Sequence, residues 1–269
     1  EQKLGPRVMG DANGGDSFCA SVALSGDTAF LSAHLDDNPA GIDAGSVYVF
    51  VRSGGNWSLQ GKLYADGAAA GDQFGSSMCL LTNVAVIGAS RADTALGNDA
   101  GSVYVFSRSG SNWIQQAKLT ASDGAASDHF GCAVSLSGDT VLIGADGVAT
   151  AGGDNAGAAY AFVRLGSNWS QQARLIADDS YFWEFFGRSV SVSGDNAFIG
   201  VPEADPVGYN SGKAYIFRRS GGAWAQQAML ISSNGGMFGH CVSVSGDTAL
   251  VAAPSANAVH VFVDSGSNW

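Results

Sequence analysis

The sequence predicts an all-β fold: a five-bladed β-propeller of four-stranded antiparallel blades, in one domain spanning residues 1–269. Three observations predict it. A phenylalanine opening a Phe-Gly step (Phe-Cys in the first copy) recurs at Phe18, Phe74, Phe130, Phe186 and Phe238, at spacings of 56, 56, 56 and 52. A tryptophan recurs between them at Trp57, Trp113, Trp169, Trp224 and Trp269. Each copy also breaks into four short runs of alternating apolar and polar residues, and none shows helical spacing. Four strands repeated at this period describe a propeller blade rather than a helical solenoid.

The third copy shows each element. Gly131–Ser137 alternates as a first strand, and Gly138-Asp139 supplies a tight turn. Thr140–Ala145 follows as a second strand, and a glycine-rich loop leads to Gly157–Arg164 as the third. The turn Leu165-Gly166-Ser167-Asn168 then leads to Trp169–Leu175 as the outer strand. The same reading places the blades at about 18–63, 74–119, 130–175, 186–230 and 238–269. The fifth outer strand begins at Trp269, and Glu1-Gln2-Lys3-Leu4 matches Gln60-Gly61-Lys62-Leu63. Pairing the two terminal segments in one blade is expected to close the ring and remove an open edge.

Composition supports this fold and excludes several functions. Hydrophobic residues make up 46%, and 38 glycines against 5 prolines indicate tight turns rather than disorder. No apolar run approaches the roughly 18 residues needed to cross a bilayer. The net charge of −11 argues against a nucleic-acid partner, which needs clustered lysine and arginine. Cys19, Cys79, Cys132 and Cys241 are scattered singly and fit no zinc spacing. They are expected to be buried, unpaired and slow to react. Without an initiator methionine or a leader, the chain reads as mature and processed, or as an excised piece.

The motifs Asp72-Gln73-Phe74-Gly75, Asp128-His129-Phe130-Gly131 with Ser137-Gly138-Asp139-Thr140, and Phe186-Gly187 with Ser193-Gly194-Asp195-Asn196 resemble FG-GAP repeats. Such repeats form the blades of integrin α-subunit propellers and of many secreted bacterial and algal proteins. The resemblance covers nearly the whole chain. It implies a secreted or cell-surface, non-enzymatic adhesion or binding scaffold. Integrin-type blades carry an Asp-rich calcium loop between their first two strands. Here that position holds only Ser-Gly-Asp-Thr or Ser-Gly-Asp-Asn (Leu-Thr-Asn-Val in the second copy), so those calcium sites do not carry over.

The recurring Trp and Phe fit wedge-filling residues between blades better than a ligand-stacking series, because every copy has them. The four histidines occupy unrelated repeat positions, so no catalytic triad or metal set assembles. The long-loop face is distinctive: 18 of the 24 acids are assigned to it, against two bases, Arg7 and Arg91. Arg52, Arg108, Arg164 and Arg218 are assigned to the opposite, short-turn face. This pattern fits simple solubility, steering of a cationic partner, or divalent cation binding. Asp36, Asp37 and Asp43 are the candidate Ca2+ ligands, and head-to-tail self-association through the two faces is a further expectation.

The fourth copy alone breaks the plan, reading Asp178-Asp179-Ser180-Tyr181-Phe182-Trp183-Glu184-Phe185-Phe186. Tyr181, Phe182, Trp183 and Glu184, with Tyr209 on the same blade's other long loop, are the candidate partner-binding residues. Clustered exposed aromatics mark a contact site, for a protein or a glycan at a cell surface or in the extracellular matrix. The other reading of this loop is a plug folded over the central channel.

Overall fold

A computed structural model describes residues 2, 4, 15–266 and 269. Blade 1 comprises β1 (Phe18–Ser25), β2 (Thr28–Ala33), β3 (Ser46–Ser53) and β4 (Asn56–Leu63). Blade 2 comprises β5 (Phe74–Leu81), β6 (Val84–Ala89), β7 (Ser102–Ser109) and β8 (Asn112–Leu119). In blade 3 the strands are β9 (Ala133–Ser137), β10 (Thr140–Ala145), β11 (Ala158–Leu165) and β12 (Asn168–Leu175). In blade 4 they are β13 (Ser189–Ser193), β14 (Asn196–Val201), β15 (Lys213–Ser220) and β16 (Ala223–Ile231). Blade 5 contributes β17 (Cys241–Ser245), β18 (Thr248–Ala253) and β19 (Ala258–Val263) among the described residues. Each sheet is antiparallel and meanders in chain order, giving the expected five-bladed β-propeller.

The inner strands pack in succession, β1 on β5, β5 on β9, β9 on β13 and β13 on β17. Each core cluster mixes side chains of neighbouring blades. Val86 and Val105 of blade 2, for example, pack with Val141, Ile143 and Tyr160 of blade 3. Within a blade, the repeat phenylalanine meets a buried tyrosine of the third strand edge-on, as Phe74 meets Tyr104 at 5.6 Å and Phe130 meets Tyr160 at 5.5 Å. Between blades, the Phe130 backbone bridges to Gly101 of the preceding blade in parallel fashion, as Phe186 does to Gly157 and Phe238 to Gly212. Gly101 has φ +87° and lies so close to the Phe130 carbonyl that a Cβ there would overlap it. This contact explains why a glycine precedes the third strand of blades 1 to 4, at Gly45, Gly101, Gly157 and Gly212.

Each of the four described outer strands carries a one-residue bulge that its alternating pattern conceals. Val49 pairs with Gly61 while Phe50 pairs with Leu59, leaving Gln60 over. Gln116, Gln172 and Gln227 are bulged out at the same point of blades 2, 3 and 4. The extra residue increases local twist, as the outer edge of a propeller blade requires.

The closure expected of residues 1–4 and the segment at Trp269 falls partly on residues 1, 3, 267 and 268, which lie outside the described residues. Leu4 packs on the blade 1 cluster around Leu31 and Tyr48, the place that Leu63 takes on blade 2. The Gln2 side chain donates to the Trp57 carbonyl at 2.7 Å and accepts the Trp57 N–H at 2.8 Å. Trp269 meets Phe198 of blade 4 edge-on at 4.8 Å, as Trp113 meets Phe30 at 4.9 Å. Leu4 and Trp269 therefore occupy their repeat positions.

Three expectations need correction. The recurring short-turn arginine of blade 4 is Arg219, not Arg218: Arg219 sits opposite Trp224 as Arg52 does opposite Trp57, and Arg219 Nε donates to Asp195 at 2.7 Å. The cysteines are all free but not all buried, since Cys19 and Cys241 are exposed on the end blades. Burial does push the Cys132 thiol well above its ordinary range. The long-loop face is also less acidic than its residue count suggests, as the side-chain pairs of the next subsection show.

Candidate functional site

The aromatic segment lies on the loop joining β12 to β13, on a backbone frame that the other blade junctions share. Phe185 N–H donates to the Asn155 carbonyl and Phe186 N–H to Ala156, as His129 and Phe130 donate to Asp99 and Ala100 one blade earlier. Trp183 N–H donates to Asp154, and its counterparts Ser127 and Gly71 donate to Asn98 and Ile42. The carboxylate seven residues after the alanine at the outer-strand exit (Ala65, Ala121, Ala177) is also shared: Asp72 and Asp128 accept the N–H of Ala69 and Ala125, and Glu184 accepts that of Tyr181 at 3.2 Å. On one frame, then, Tyr181, Phe182 and Trp183 replace Ala69-Ala70-Gly71 and Ala125-Ala126-Ser127. The backbone does not require these rings.

The rings stand out from the surface. Tyr181 is 59% exposed, Phe182 48% and Trp183 57%, so the loop does not fold inwards as a plug. Tyr181 and Phe182 pack together at 4.4 Å, and Trp183 meets Phe185 edge-on at 5.8 Å. Trp183 has φ +61° and Phe185 +57°, the left-handed region that large side chains rarely adopt. The surrounding frame imposes this conformation, since Ser127 and His129 share it at +65° and +54°. Arg188 lies over the Phe185 ring at 5.8 Å.

Glu184 is the anchor of this loop and not part of its exposed surface. It is buried, and its Oε1 accepts Lys213 Nζ at 2.9 Å. Lys213 also donates to Asp179 Oδ2 at 3.1 Å, and Tyr215 OH donates to Asp179 Oδ1 at 2.6 Å. Burial alone would raise the Asp179 carboxyl, but the hydrogen bonds from Tyr215 and Lys213 hold it below its ordinary value. Burial would depress Lys213, yet Glu184 and Asp179 raise it. Burial, then the Asp179 hydrogen bond, drives the Tyr215 phenol far upward. At the equivalents of Lys213 the other blades have Ser46, Ser102, Ala158 and Ala258, and burial leaves Asp72 and Asp128 raised. One substitution on β15 thus adds a cation beneath the one junction that carries aromatics. No pattern along the chain linked Lys213 to Glu184, 29 positions apart.

Tyr209 belongs to the next junction. It is 89% exposed and borders a shallow groove of about 230 Å3, shared with Val207, Gly208 and Ser233–Gly236. Its loop is tied to the blade 4–5 junction, where Met237 N–H donates to the Asn210 carbonyl. The structure places Tyr181, Phe182 and Trp183 in one cluster and Tyr209 one junction away.

The candidate Ca2+ ligands do not converge. Asp36 is buried, pairs with Lys62 Nζ at 2.9 Å and accepts Ser46 Oγ at 2.9 Å, while Asp37 Oδ1 accepts the Asp43 N–H at 3.0 Å. Among the described residues no group of three or more His, Cys, Asp or Glu side chains is arranged to hold a metal ion. Other loop acids are also paired by bases reaching up from the strands: Asp123 by Arg174 at 2.6 Å, and Asp146 by Arg188 at 3.1 Å. These pairs offset part of the negative field expected of this face.

A family model described as FG-GAP repeat matches residues 2–50, 57–106, 113–162 and 169–217. No curated protein matches the chain. Among the described residues no helix is long and apolar enough to cross a membrane.

Proposed function

Because the chain belongs to the FG-GAP repeat family, whose propellers are typically non-enzymatic and usually extracellular, we propose that it is a secreted or cell-surface binding module that holds a protein partner at Tyr181, Phe182 and Trp183. One observation carries the reading: three adjacent exposed aromatics stand on a frame that the neighbouring junctions build with alanine, glycine and serine. Exposed rings cost solubility, and burying one in a contact is worth about 1.5–3 kcal/mol. The Glu184–Lys213 pair beneath them holds the loop in one conformation, which lowers the entropic cost of association. Asp178, exposed at the rim, adds an acceptor for a basic group of the partner.

The same pairing of exposed rings with an exposed carboxylate suits sugar recognition, so a glycan ligand is the second reading. Surface plasmon resonance against a panel of extracellular-matrix proteins, beside a glycan array, separates the two. Trp183→Gly, which restores the blade 2 residue, should remove most binding in whichever assay is positive and leave the melting temperature nearly unchanged. Undiminished binding would move the site elsewhere.

A further inference from the structure

Between blades 1 and 2 the outer strands part around a cleft of about 510 Å3, a size typical of small-molecule sites. Gln60, Gly61 and Leu63 of β4 line one side, and Ser111, Asn112 and Trp113 at the entry to β8 line the other. Between blades 2 and 3 the equivalent residues Gln116, Ser167 and Trp169 border only about 100 Å3.

Two features set the larger cleft apart. Gly61 stands where the outer strands of blades 2, 3 and 4 have Ala117, Ala173 and Ala228, each packed against a core cluster. A Cβ at Gly61 would meet nothing within 4 Å, so the space of a methyl group is left open. The second feature is a missing hydrogen bond. Between blades 3 and 4, Trp224 Nε1 donates to Gln172 Oε1 at 2.9 Å. The same two positions between blades 1 and 2 are Trp113 and Gln60, and there Trp113 Nε1 and Gln60 Oε1 are both buried without a partner. An unpaired buried donor or acceptor carries a desolvation cost that a ligand supplying the partner would remove.

We propose that this cleft binds an acetamido group, as carried by an N-acetylated amino sugar. The methyl enters the space beside Gly61, the carbonyl oxygen accepts from Trp113 Nε1, and the amide N–H donates to Gln60 Oε1. One secondary amide supplies all three missing parts. The Gln60 side chain turns to admit the ligand, and its oxygen gives up no hydrogen bond in doing so. Ser111 and Asn112 are exposed at the mouth, where a hydroxyl and an amide suit a polyhydroxylated ring better than the apolar stem of an acetylated lysine. The cleft shares no residue with the aromatic loop of blade 4.

Heteronuclear NMR of the isotope-labelled protein, titrated with N-acetylglucosamine and then with N-acetylgalactosamine, tests the proposal. The indole N–H resonance of Trp113, identified by its absence from Trp113→Phe, should shift and saturate with at least one of them. Glucosamine and glucose, which lack the acetyl group, should leave it unmoved. Gly61→Ala restores the residue of blades 2 to 4 and meets no atom, so it should abolish binding without lowering the melting temperature. Trp113→Phe keeps a ring but loses the donor, and should weaken binding about tenfold as read on the Gln60 side-chain amide. Trp183→Gly should bind both sugars like the wild type, so failure at the aromatic loop and failure at this cleft are told apart. The proposal is overturned if neither acetylated sugar moves the Trp113 resonance, if glucosamine moves it equally, or if Gly61→Ala binds undiminished. Tighter binding of N-acetyllysine than of either sugar would overturn the assignment to a sugar.

Discussion

Replacing Lys213 with alanine, the residue that blade 3 has at this position, isolates the anchor under the aromatic loop. The lysine and Glu184 side chains are about one-tenth exposed and 2.9 Å apart. Removing the cation leaves a buried carboxylate with only the Tyr181 N–H as a charge-assisted partner. Breaking a buried pair from one side costs about 3–5 kcal/mol. Relaxation of the loop and entry of water relieve part of this, so we expect about 3 kcal/mol near neutral pH. For a domain of this size that corresponds to a fall in melting temperature of roughly 6–12 °C. The deficit should depend on pH. Lys213 is one of the two groups whose hydrogen bonds hold the Asp179 carboxyl below its ordinary value. A carboxyl depressed in the folded state adds stability above its unfolded value, about 3.9 for aspartate, and that stability is lost as pH falls through the folded value. The lysine's contribution, and with it the deficit of the variant, therefore shrinks on acidification. Thermal and urea unfolding at about pH 7 and about pH 3 measure both effects. The reasoning is refuted if the variant matches wild type at neutral pH, or if its deficit widens on acidification.

Alkylation of the native protein should label Cys19 and Cys241 readily and spare Cys132, whose burial suppresses the thiolate; mass spectrometry after denaturation should then find all four thiols free. Gly144→Ala would drive a Cβ into the Gly187 carbonyl of the next blade, and should cost about 1–3 kcal/mol by urea unfolding. Removing residues 1–4 takes Leu4 off the blade 1 cluster and frees the Trp57 backbone groups that Gln2 holds, and should lower the melting temperature measurably. Alanine at Arg52, by contrast, removes an exposed pair with Asp27 and a cation–π contact over Trp57 at 5.6 Å, and should shift stability by only about 1 kcal/mol.

The sequence by itself determined the blades. Alternation of apolar and polar residues is local and recurs in all five copies, as the Gly-Asp turn does in four, so the strands and their meander order are legible without coordinates. The aromatic loop was legible for the same reason, because Tyr181, Phe182 and Trp183 interrupt a pattern that neighbouring copies keep. What only the tertiary structure decided is which side chains meet. Glu184 looked like a ligand group until Lys213 was found beneath it, and Asp36 looked like a cation ligand until Lys62, 26 positions away, was found against it. The Gln60, Gln116, Gln172 and Gln227 bulges shift register against a partner strand, which no single strand records. Pairing and burial depend on distance in space between residues far apart in the chain, and only the packed blades define that distance.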